Sequence, residues 1–189
     1  MTQTAEQFSD VYQELLDLPE NMHGEIINGE LHTQPRSAPK HALAASYLGS
    51  DLVGPYGKGR GGPGGWWIID EPEIHLGSDI FVPDIAGWKK ERMPLLPETA
   101  YFDLSPDWIC EVISQSTARK DRVLKMPLYA KNKVQNIWLI EPITKILEVY
   151  QLEGPYWTLI GTFADSDKVS IDPFTEIPID LSFLWEIEG

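Results

Sequence analysis

The sequence contains very little cysteine and no apolar run long enough to cross a bilayer. Its 189 residues include a single cysteine, Cys110, which excludes an intramolecular disulfide framework and any zinc site built from several cysteines. No segment reaches the ~20 consecutive apolar residues that a membrane-spanning helix needs. The N-terminus also lacks the charged-then-apolar pattern of a secretory signal. We therefore expect a cytoplasmic protein that does not enter a membrane.

Positive charge is scarce as well. The chain has 15 Lys and Arg against 29 Asp and Glu, a formal net charge of -14, which argues against a protein that coats nucleic acid non-specifically, because phosphate binding needs concentrated positive charge. Residues 118–133 are an exception, with six cations and one acid, Asp121. We expect most of these cations on a solvated helix face; the alternative is a local surface that faces phosphate.

The length and the apolar content predict one folded domain over residues 1–189. Apolar residues make up 42% of the chain, which excludes a disordered protein and suits a single hydrophobic core. The periodicity of the apolar residues predicts both helices and strands. The predicted helices cover 4–18, 39–54 and 117–131, the last with Ser116 or Thr117 as its N-cap, and a helical turn is predicted to end the tail 176–186. The predicted strands cover 66–70, 73–76, 81–87, 108–113, 136–141, 145–151 and 156–163, with a hairpin over 23–31 that turns at Asn28-Gly29.

This order of elements predicts a mixed sheet flanked by helices. A strand–helix–strand unit lies at the centre, between hairpins. The fold class is accordingly α/β, in the form of an α+β mixed sheet with added hairpins. The glycine-rich stretch 57–65 follows a helix and precedes a strand, the wrong order for a dinucleotide-binding loop, so we interpret it as a flexible loop. A second loop is predicted over 89–103.

Two carboxylates lie in apolar surroundings and are the first candidates for chemistry. Glu111 is the single charged residue in the apolar run 108–113, and Asp84 follows Val82-Pro83 in a similar run. A buried carboxylate is costly unless a metal, a cation or several donors hold it. Since Mg²⁺ prefers carboxylate oxygens and keeps several waters, two such side chains and a backbone carbonyl suffice for a site. Taken alone, Asp84 could also simply end a strand.

The helix after Glu111 offers a cation for such a site. Asp121, Lys125 and Tyr129 follow at intervals of four residues and therefore share one helix face. If this face borders the strand end, Lys125 reaches the water that would attack a phosphate. The alternative is an exposed Asp121–Lys125 pair that contributes only a few tenths of a kcal/mol, roughly. The spacing alone leaves both interpretations open.

Three further residues have weaker signals. Glu25, at the start of the predicted hairpin, could assist metal or water binding, although an exposed strand glutamate is the commoner case. His41 could contact phosphate or a carboxylate, or form a local hydrogen bond near a helix start. Cys110 points away from Glu111 by strand alternation, and we interpret it as a packed core thiol.

These motifs, in this order, resemble the Uma-two family of restriction-endonuclease-like proteins, within the PD-(D/E)XK nuclease superfamily. The resemblance spans about residues 20–142. The residues that carry it are Gly24–Leu31, Val82-Pro83-Asp84, Trp108–Thr117, Asp121–Tyr129 and Ile137–Pro142.

The resemblance implies roles for particular residues. It makes Asp84 and Glu111 the ligands of Mg²⁺ or Mn²⁺, with the carbonyl of Val112 as a third. The superfamily lysine is expected two residues after the acid, where this chain has Ile113. The resemblance therefore implies that Lys125, on the following helix, takes that place. It also implies that Glu25 is the additional N-terminal acid of the site.

The expected function is hydrolysis of DNA phosphodiester bonds by a metal-dependent endonuclease. DNA is then the substrate, and a homodimer or higher homo-oligomer is expected, because cutting both strands usually calls for two sites. The net charge of -14 and Ile113 leave an alternative, a non-catalytic binding or regulatory module with the nuclease fold. A glycosidase with paired carboxylates is weaker, since it does not account for the basic helix.

Overall fold

A computed structural model describes residues 5–185 of the chain, with side chains described from residue 10 onward. Residue 4 of the first predicted helix and residue 186 of the predicted tail lie outside this range. Within it there are four α-helices and two π-helical stretches. The α-helices are α1 (Ala5–Leu16), α2 (Pro39–Leu52), α3 (Met126–Lys131) and α4 (Ser182–Trp185); the π-helical stretches are Val53–Gly57, after α2, and Lys120–Lys125, before α3.

The described strands form three sheets, the largest of which is mixed. The six-stranded sheet has the order β10-β9-β8-β7-β6-β3, and only its β7–β8 pair is parallel. A four-stranded sheet has the order β2-β1-β5-β4, and β11 pairs with β12. The strands are β1 (Met22–Ile27), β2 (Glu30–Pro35), β3 (Trp66–Asp70), β4 (Ile74–Leu76), β5 (Asp79–Phe81), β6 (Ile85–Lys89), β7 (Trp108–Val112), β8 (Asn136–Glu141), β9 (Ile146–Glu153), β10 (Tyr156–Ala164), β11 (Lys168–Ile171) and β12 (Phe174–Asp180).

Both faces of the six-stranded sheet are covered, which explains the unbroken apolar run of β7. On one face Trp108, Cys110 and Val112 pack with residues of α2, α4 and β12. On the other, Ile109 and Ile113 pack with residues of β4, β5 and α3. Alternation along a strand sends successive side chains to opposite faces, so a strand buried on both faces is apolar throughout. The mixed sheet flanked by helices is confirmed, and Cys110 is buried in the core.

Local sequence explains the hairpin and one close approach within the large sheet. β1 and β2 are joined at Asn28 and Gly29, whose φ angles of 54° and 81° are the left-handed values that a two-residue hairpin turn requires. On β6, a Cβ placed on Gly87 would lie 3.2 Å from the Trp108 ring and 3.3 Å from the Trp66 ring. The missing side chain therefore lets two tryptophans pack against this strand.

The predicted strand over 81–87 is wrong. The chain instead leaves β5 at Phe81 and enters β6 at Ile85, and the two strands belong to different sheets. Pro83 lies between them, and proline cannot donate to a strand ladder. The consequence is that Asp84 stands at the start of β6, where the two sheets meet. Strands β11 and β12 were not predicted from the sequence, which indicated only a helical turn at the end of the tail 176–186.

The helical run after β7 begins differently from the prediction. Ser114, not Ser116 or Thr117, provides the capping oxygen: its Oγ accepts a hydrogen bond from the Thr117 backbone N–H at 3.2 Å. Thr117 Oγ1 in turn accepts from the Ser114 N–H at 3.1 Å. This reciprocal pair has the form of a capping box. It fixes the direction in which the chain leaves the strand that carries Glu111.

Candidate active site

Glu111 lies in the middle of the sheet, on the face that packs against the helical run 118–131. Its side chain is 5% exposed. Its Oε1 atom accepts a hydrogen bond from the Tyr129 hydroxyl at 2.6 Å and lies 2.7 Å from Lys125 Nζ. The helix after the strand therefore supplies both partners of this buried carboxylate, and both of them contact the same oxygen.

Lys125 is the centre of a buried ionic cluster. Its side chain is 2% exposed, and its Nζ atom lies 2.8 Å from Glu25 Oε1 and 3.7 Å from Asp121 Oδ1, in addition to the contact with Glu111. The alternative of an exposed Asp121–Lys125 pair is wrong, because both side chains are buried. The structure thus brings Lys125, Glu111 and Glu25 together, as a shared site requires.

Glu25 enters the cluster from the four-stranded sheet. Its Oε1 atom accepts a hydrogen bond from the Val82 N–H at 3.0 Å. Its Oε2 atom lies 2.6 Å from Lys120 Nζ, which also donates to Gln34 Oε1 at 2.8 Å. Glu25 is therefore not an exposed strand glutamate. It connects the hairpin to the helical run that carries both lysines.

Asp84 lies on the solvent-accessible side of the cluster, at the start of β6. Its Oδ2 atom accepts a hydrogen bond from the Val112 N–H at 2.7 Å, which ties it to the strand of Glu111. His41 Nε2 lies 3.4 Å from its Oδ1 atom. With 15% of its side chain exposed, Asp84 lines a cleft together with His23, His32 and Lys120. The part of the cluster that a ligand can reach is therefore on the Asp84 side.

Burial and charge shift the protonation of these groups in different directions. Burial raises the pKa of Glu111 to about 8, against the opposing effect of Lys125. Burial likewise raises the pKa of Asp84 to about 6, against His41. For Glu25, Lys125 and Lys120 outweigh burial and hold the pKa below its usual value. Burial lowers the pKa of Lys125, but Glu111 and Glu25 outweigh it and raise this pKa well above its usual value.

The cluster carries more negative than positive charge. Four carboxylates and two lysines give a formal charge of -2 when all are ionised; they are Glu25, Asp84, Glu111, Asp121, Lys120 and Lys125. The raised pKa values of Asp84 and Glu111 are the expected response of two buried acids that lack a full counter-charge. A divalent cation would balance this surplus.

The donor atoms suit a hard cation, although the protein alone does not complete a coordination shell. Asp84 and Glu111 offer carboxylate oxygen, which Mg²⁺ prefers, and this ion retains several waters. Within residues 10–185, no three side chains of His, Cys, Asp or Glu are grouped so as to hold a metal ion. The ligand role of the Val112 carbonyl stays a prediction.

Sequence reasoning missed the part that Lys120 and Gln34 take in this site. Lys120 was one of six cations expected mainly on a solvated face, yet its side chain is 14% exposed and bound to Glu25. Gln34 gave no signal beyond its place on the hairpin. Alternation along β2 puts it on the face of Glu25, but the contact with Lys120 spans 86 residues. Pairing over such a distance cannot be read from local pattern.

Comparison with known families identifies the chain's relatives. A family model described as "Uma2: Putative restriction endonuclease" matches residues 10–182. The chain belongs to the Uma2 family. This match extends the resemblance noted for residues 20–142 over nearly all of the chain, including the C-terminal strands. Among curated proteins, none matches the chain.

A solved structure shows that the Uma2 chain has a nuclease-like fold. The crystal structure of a protein from Anabaena variabilis, described as a putative nuclease belonging to DUF820, has a TM-score of 0.72 and 24% sequence identity. The alignment covers 93% of this chain and 97% of the other. The expected restriction-endonuclease-like core is therefore confirmed as a fold. None of the helices within residues 5–185 has the length and apolar character that a bilayer crossing requires.

Proposed function

We propose that this Uma2 protein is a Mg²⁺-dependent endonuclease that hydrolyses phosphodiester bonds in DNA, with Mn²⁺ as an alternative cation. Asp84 and Glu111 would hold the metal together with the Val112 carbonyl, and Lys125 would orient the attacking water. The observation that carries the proposal is the buried contact of 2.7 Å between Lys125 Nζ and Glu111 Oε1. It joins a helix lysine to a strand acid in a family described as restriction endonucleases.

The charge and the donor atoms support a divalent cation at this place. A bound Mg²⁺ lowers the pKa of water and neutralises phosphate charge. The two groups with raised pKa values, Asp84 and Glu111, are the ones assigned to it. Tyr129 and Lys125 both contact Glu111 through Oε1, so these two contacts do not occupy Oε2.

Lys125 acts as a cation and not as a base. Its pKa is raised above the usual value of lysine, so the ammonium form persists at neutral pH. A fixed positive charge stabilises the negative charge that develops on phosphate, and its N–H groups orient water. Glu25 and Asp121 are positioning residues, since they hold the Lys125 ammonium from the sides away from Glu111.

Nicking of supercoiled plasmid DNA tests the proposal. The wild type should nick with Mg²⁺ and not with EDTA. Lys125→Met and Asp84→Asn should each slow nicking by about 10²–10³-fold, the usual effect of removing one stabilising group. Lys131→Met is the matched control, because Lys131 is exposed at the end of α3. Equal nicking by all four proteins would reject the assignment, and thermal unfolding by circular dichroism verifies that each variant folds.

The second candidate is a non-catalytic binding or regulatory module. It is favoured by the closure of the site, since Lys125 and Tyr129 both contact Glu111 Oε1 and the carboxylate is 5% exposed. This alternative requires no nicking by the wild type and no heat of Mg²⁺ binding in calorimetry. A heat of binding that disappears in Glu111→Gln would count against it.

Assembly and location follow from the same proposal. Double-strand scission needs two sites, so we expect a homodimer or higher homo-oligomer. We also propose a cytoplasmic location. Sedimentation of the protein at assay concentration tests the assembly. A monomer that cuts both strands of a linear duplex in one encounter would contradict it.

A further inference from the structure

A second group of cations lies at the end of β6 that is remote from Asp84. Five positive charges and a single acid, Glu91, occur within residues 57–67 and 89–92, in a chain whose net charge is -14. We call these five residues the basic surface: Lys58, Arg60, Lys89, Lys90 and Arg92. Such a local excess, against the sign of the whole chain, marks a candidate contact for an anionic polymer.

The two segments of the basic surface are fastened to each other. Lys90 Nζ donates to the Gly57 carbonyl at 2.9 Å, and the Lys90 N–H donates to the Gly65 carbonyl at 2.8 Å. The same ammonium lies 4.4 Å from the centroid of the Trp67 ring. These contacts hold the glycine-rich loop beside the end of β6. Lys58 and Arg60, on that loop, remain exposed.

An exposed apolar tip, formed by Leu95 and Leu96, follows the basic surface directly in the sequence. Leu95 is 82% exposed and Leu96 44% exposed, and prolines stand on either side of them. The base of the tip is fixed, because Met93 is 7% exposed and its carbonyl accepts a hydrogen bond from Trp67 Nε1 at 2.8 Å. Arg92 adds an ion pair with Asp107 at 2.9 Å. A fixed segment that exposes two apolar side chains to solvent is typical of a surface that contacts a binding partner.

The basic surface and the candidate active site lie at opposite ends of β6. Asp84 and Lys89 are five residues apart along β6. At about 3.4 Å per residue this is roughly 17 Å. Phosphates along one DNA strand are about 3.4 Å apart in projection on the helix axis, so the distance corresponds to about five nucleotides.

We propose that the basic surface binds the phosphate backbone of duplex DNA on one side of the cleavage site, and that Leu95 and Leu96 pack into the adjacent groove. Lysine and arginine recognise phosphate, and leucine is among the apolar side chains that proteins insert between base steps. The exposed cations Lys58 and Arg60 beside two exposed leucines favour DNA over a protein partner. This inference rests on DNA as the proposed substrate.

The experiment measures binding of a fluorescein-labelled DNA duplex by fluorescence anisotropy in EDTA, over a series of salt concentrations. Lys58→Gln/Arg60→Gln removes two exposed cations. Lys131→Gln/Lys145→Gln, also exposed, makes the same change in net charge elsewhere. We expect the first pair to weaken binding and to reduce the slope of log K against log salt by about 2, since each phosphate contact contributes about 0.9. The control pair should leave the slope unchanged.

Leu95→Ser tests the apolar tip. It should weaken binding by several-fold without changing the salt slope, because no charge is lost. Equal losses in the two charge pairs, or no loss in either, would overturn the proposal. So would binding of the wild type to vesicles of phosphatidylglycerol, lost in Leu95→Ser, in the absence of duplex binding.

Nicking assays of the same proteins separate this inference from the proposed function. If the wild type nicks plasmid but Lys58→Gln/Arg60→Gln binds the duplex as the wild type does, the inference fails and the function stands. If duplex binding depends on the basic surface but the wild type does not nick, the function fails and the surface stands. When both hold, the Lys58→Gln/Arg60→Gln protein should show a raised KM.

Discussion

Replacement of Lys125 should lower the protein's stability strongly. It lies between Glu25 and Glu111 with 2% of its side chain exposed. Lys125→Met keeps the length of the side chain but leaves the buried Glu111 without a cation, while Glu25 keeps only Lys120. Removing one partner of a buried ion pair costs about 3–5 kcal/mol, and we expect a loss of that size in the free energy of unfolding, measured in urea.

A double variant separates lost charge from lost packing. Adding Glu111→Gln to Lys125→Met removes the carboxylate that lost its cation and should restore part of the stability. If the two losses simply add, the ion-pair explanation is contradicted. Lys131→Met, exposed on the same helix, should change stability by less than about 0.5 kcal/mol.

The protonation of Glu25 gives stability a pH dependence of known sign. Its pKa is lower in the folded chain than the usual 4.5. As pH falls through that value, the unfolded state binds the proton first, so the stability that Glu25 provides is present above it and is lost below it. We expect the wild type to lose more stability than Glu25→Gln on acidification from pH 4.5 downward. Urea unfolding at several pH values measures this, and parallel pH profiles would contradict it.

At the residue scale the sequence indicated the buried acid Glu111 better than it indicated the partners of the buried acids. Glu111 stood out because every neighbour in its strand is apolar, and Lys125 because of its spacing with Asp121 and Tyr129. The contact of Lys120 with Glu25 joins residues 95 apart. Only the meeting of the hairpin with the helical run creates it, and no local pattern encodes that meeting.

Among the elements, the junction between β7 and the helical run positions the cluster. Ser114 and Thr117 bond reciprocally at this junction. Ser114→Ala removes the capping oxygen and should lower the free energy of unfolding by about 1 kcal/mol. It should also slow nicking, because Lys120 and Lys125 lie on the run that it starts.

Ser116→Ala is the control for this junction. Ser116 is exposed, and its hydroxyl contacts that of Ser114 at 3.0 Å. We expect a change within about 0.5 kcal/mol. Chemical denaturation of both variants gives the comparison, and an equal loss in the two would contradict the assignment of the cap to Ser114.

Prolines account for some of the differences between the predicted and the observed elements. The predicted helix 117–131 contains the π-helical stretch Lys120–Lys125, which ends just before Pro127. Proline lacks the N–H that a regular helix needs, and wider turns form where the hydrogen-bond ladder is interrupted. Pro55 lies within the other π-helical stretch, Val53–Gly57. Pro83 likewise separates β5 from β6. By contrast, the Asn28-Gly29 hairpin and the buried strand β7 were predictable, since both depend on local sequence.

For the whole molecule, a single domain over residues 1–189 stays a prediction. The six-stranded sheet has core clusters on both faces, and both include residues of β7. We therefore expect a single cooperative unfolding transition, with tryptophan fluorescence and far-ultraviolet circular dichroism coincident in urea. Separate transitions for the two probes would indicate independently folding parts.

The distribution of charge over the whole molecule should influence how the protein binds DNA. The net charge of -14 disfavours random attachment to DNA, while the basic surface provides one local attraction. A nuclease with this arrangement should bind DNA in a single orientation.

The most direct test of the central claim is a crystal structure of the wild type soaked in Mn²⁺, with anomalous scattering used to locate the metal. We expect an anomalous peak for a metal ion coordinated by carboxylate oxygens of both Asp84 and Glu111, with Lys125 still paired to Glu25. We expect no such peak in Glu111→Gln. The absence of a peak between Asp84 and Glu111 in the wild type, at a Mn²⁺ concentration that saturates nicking, would contradict it.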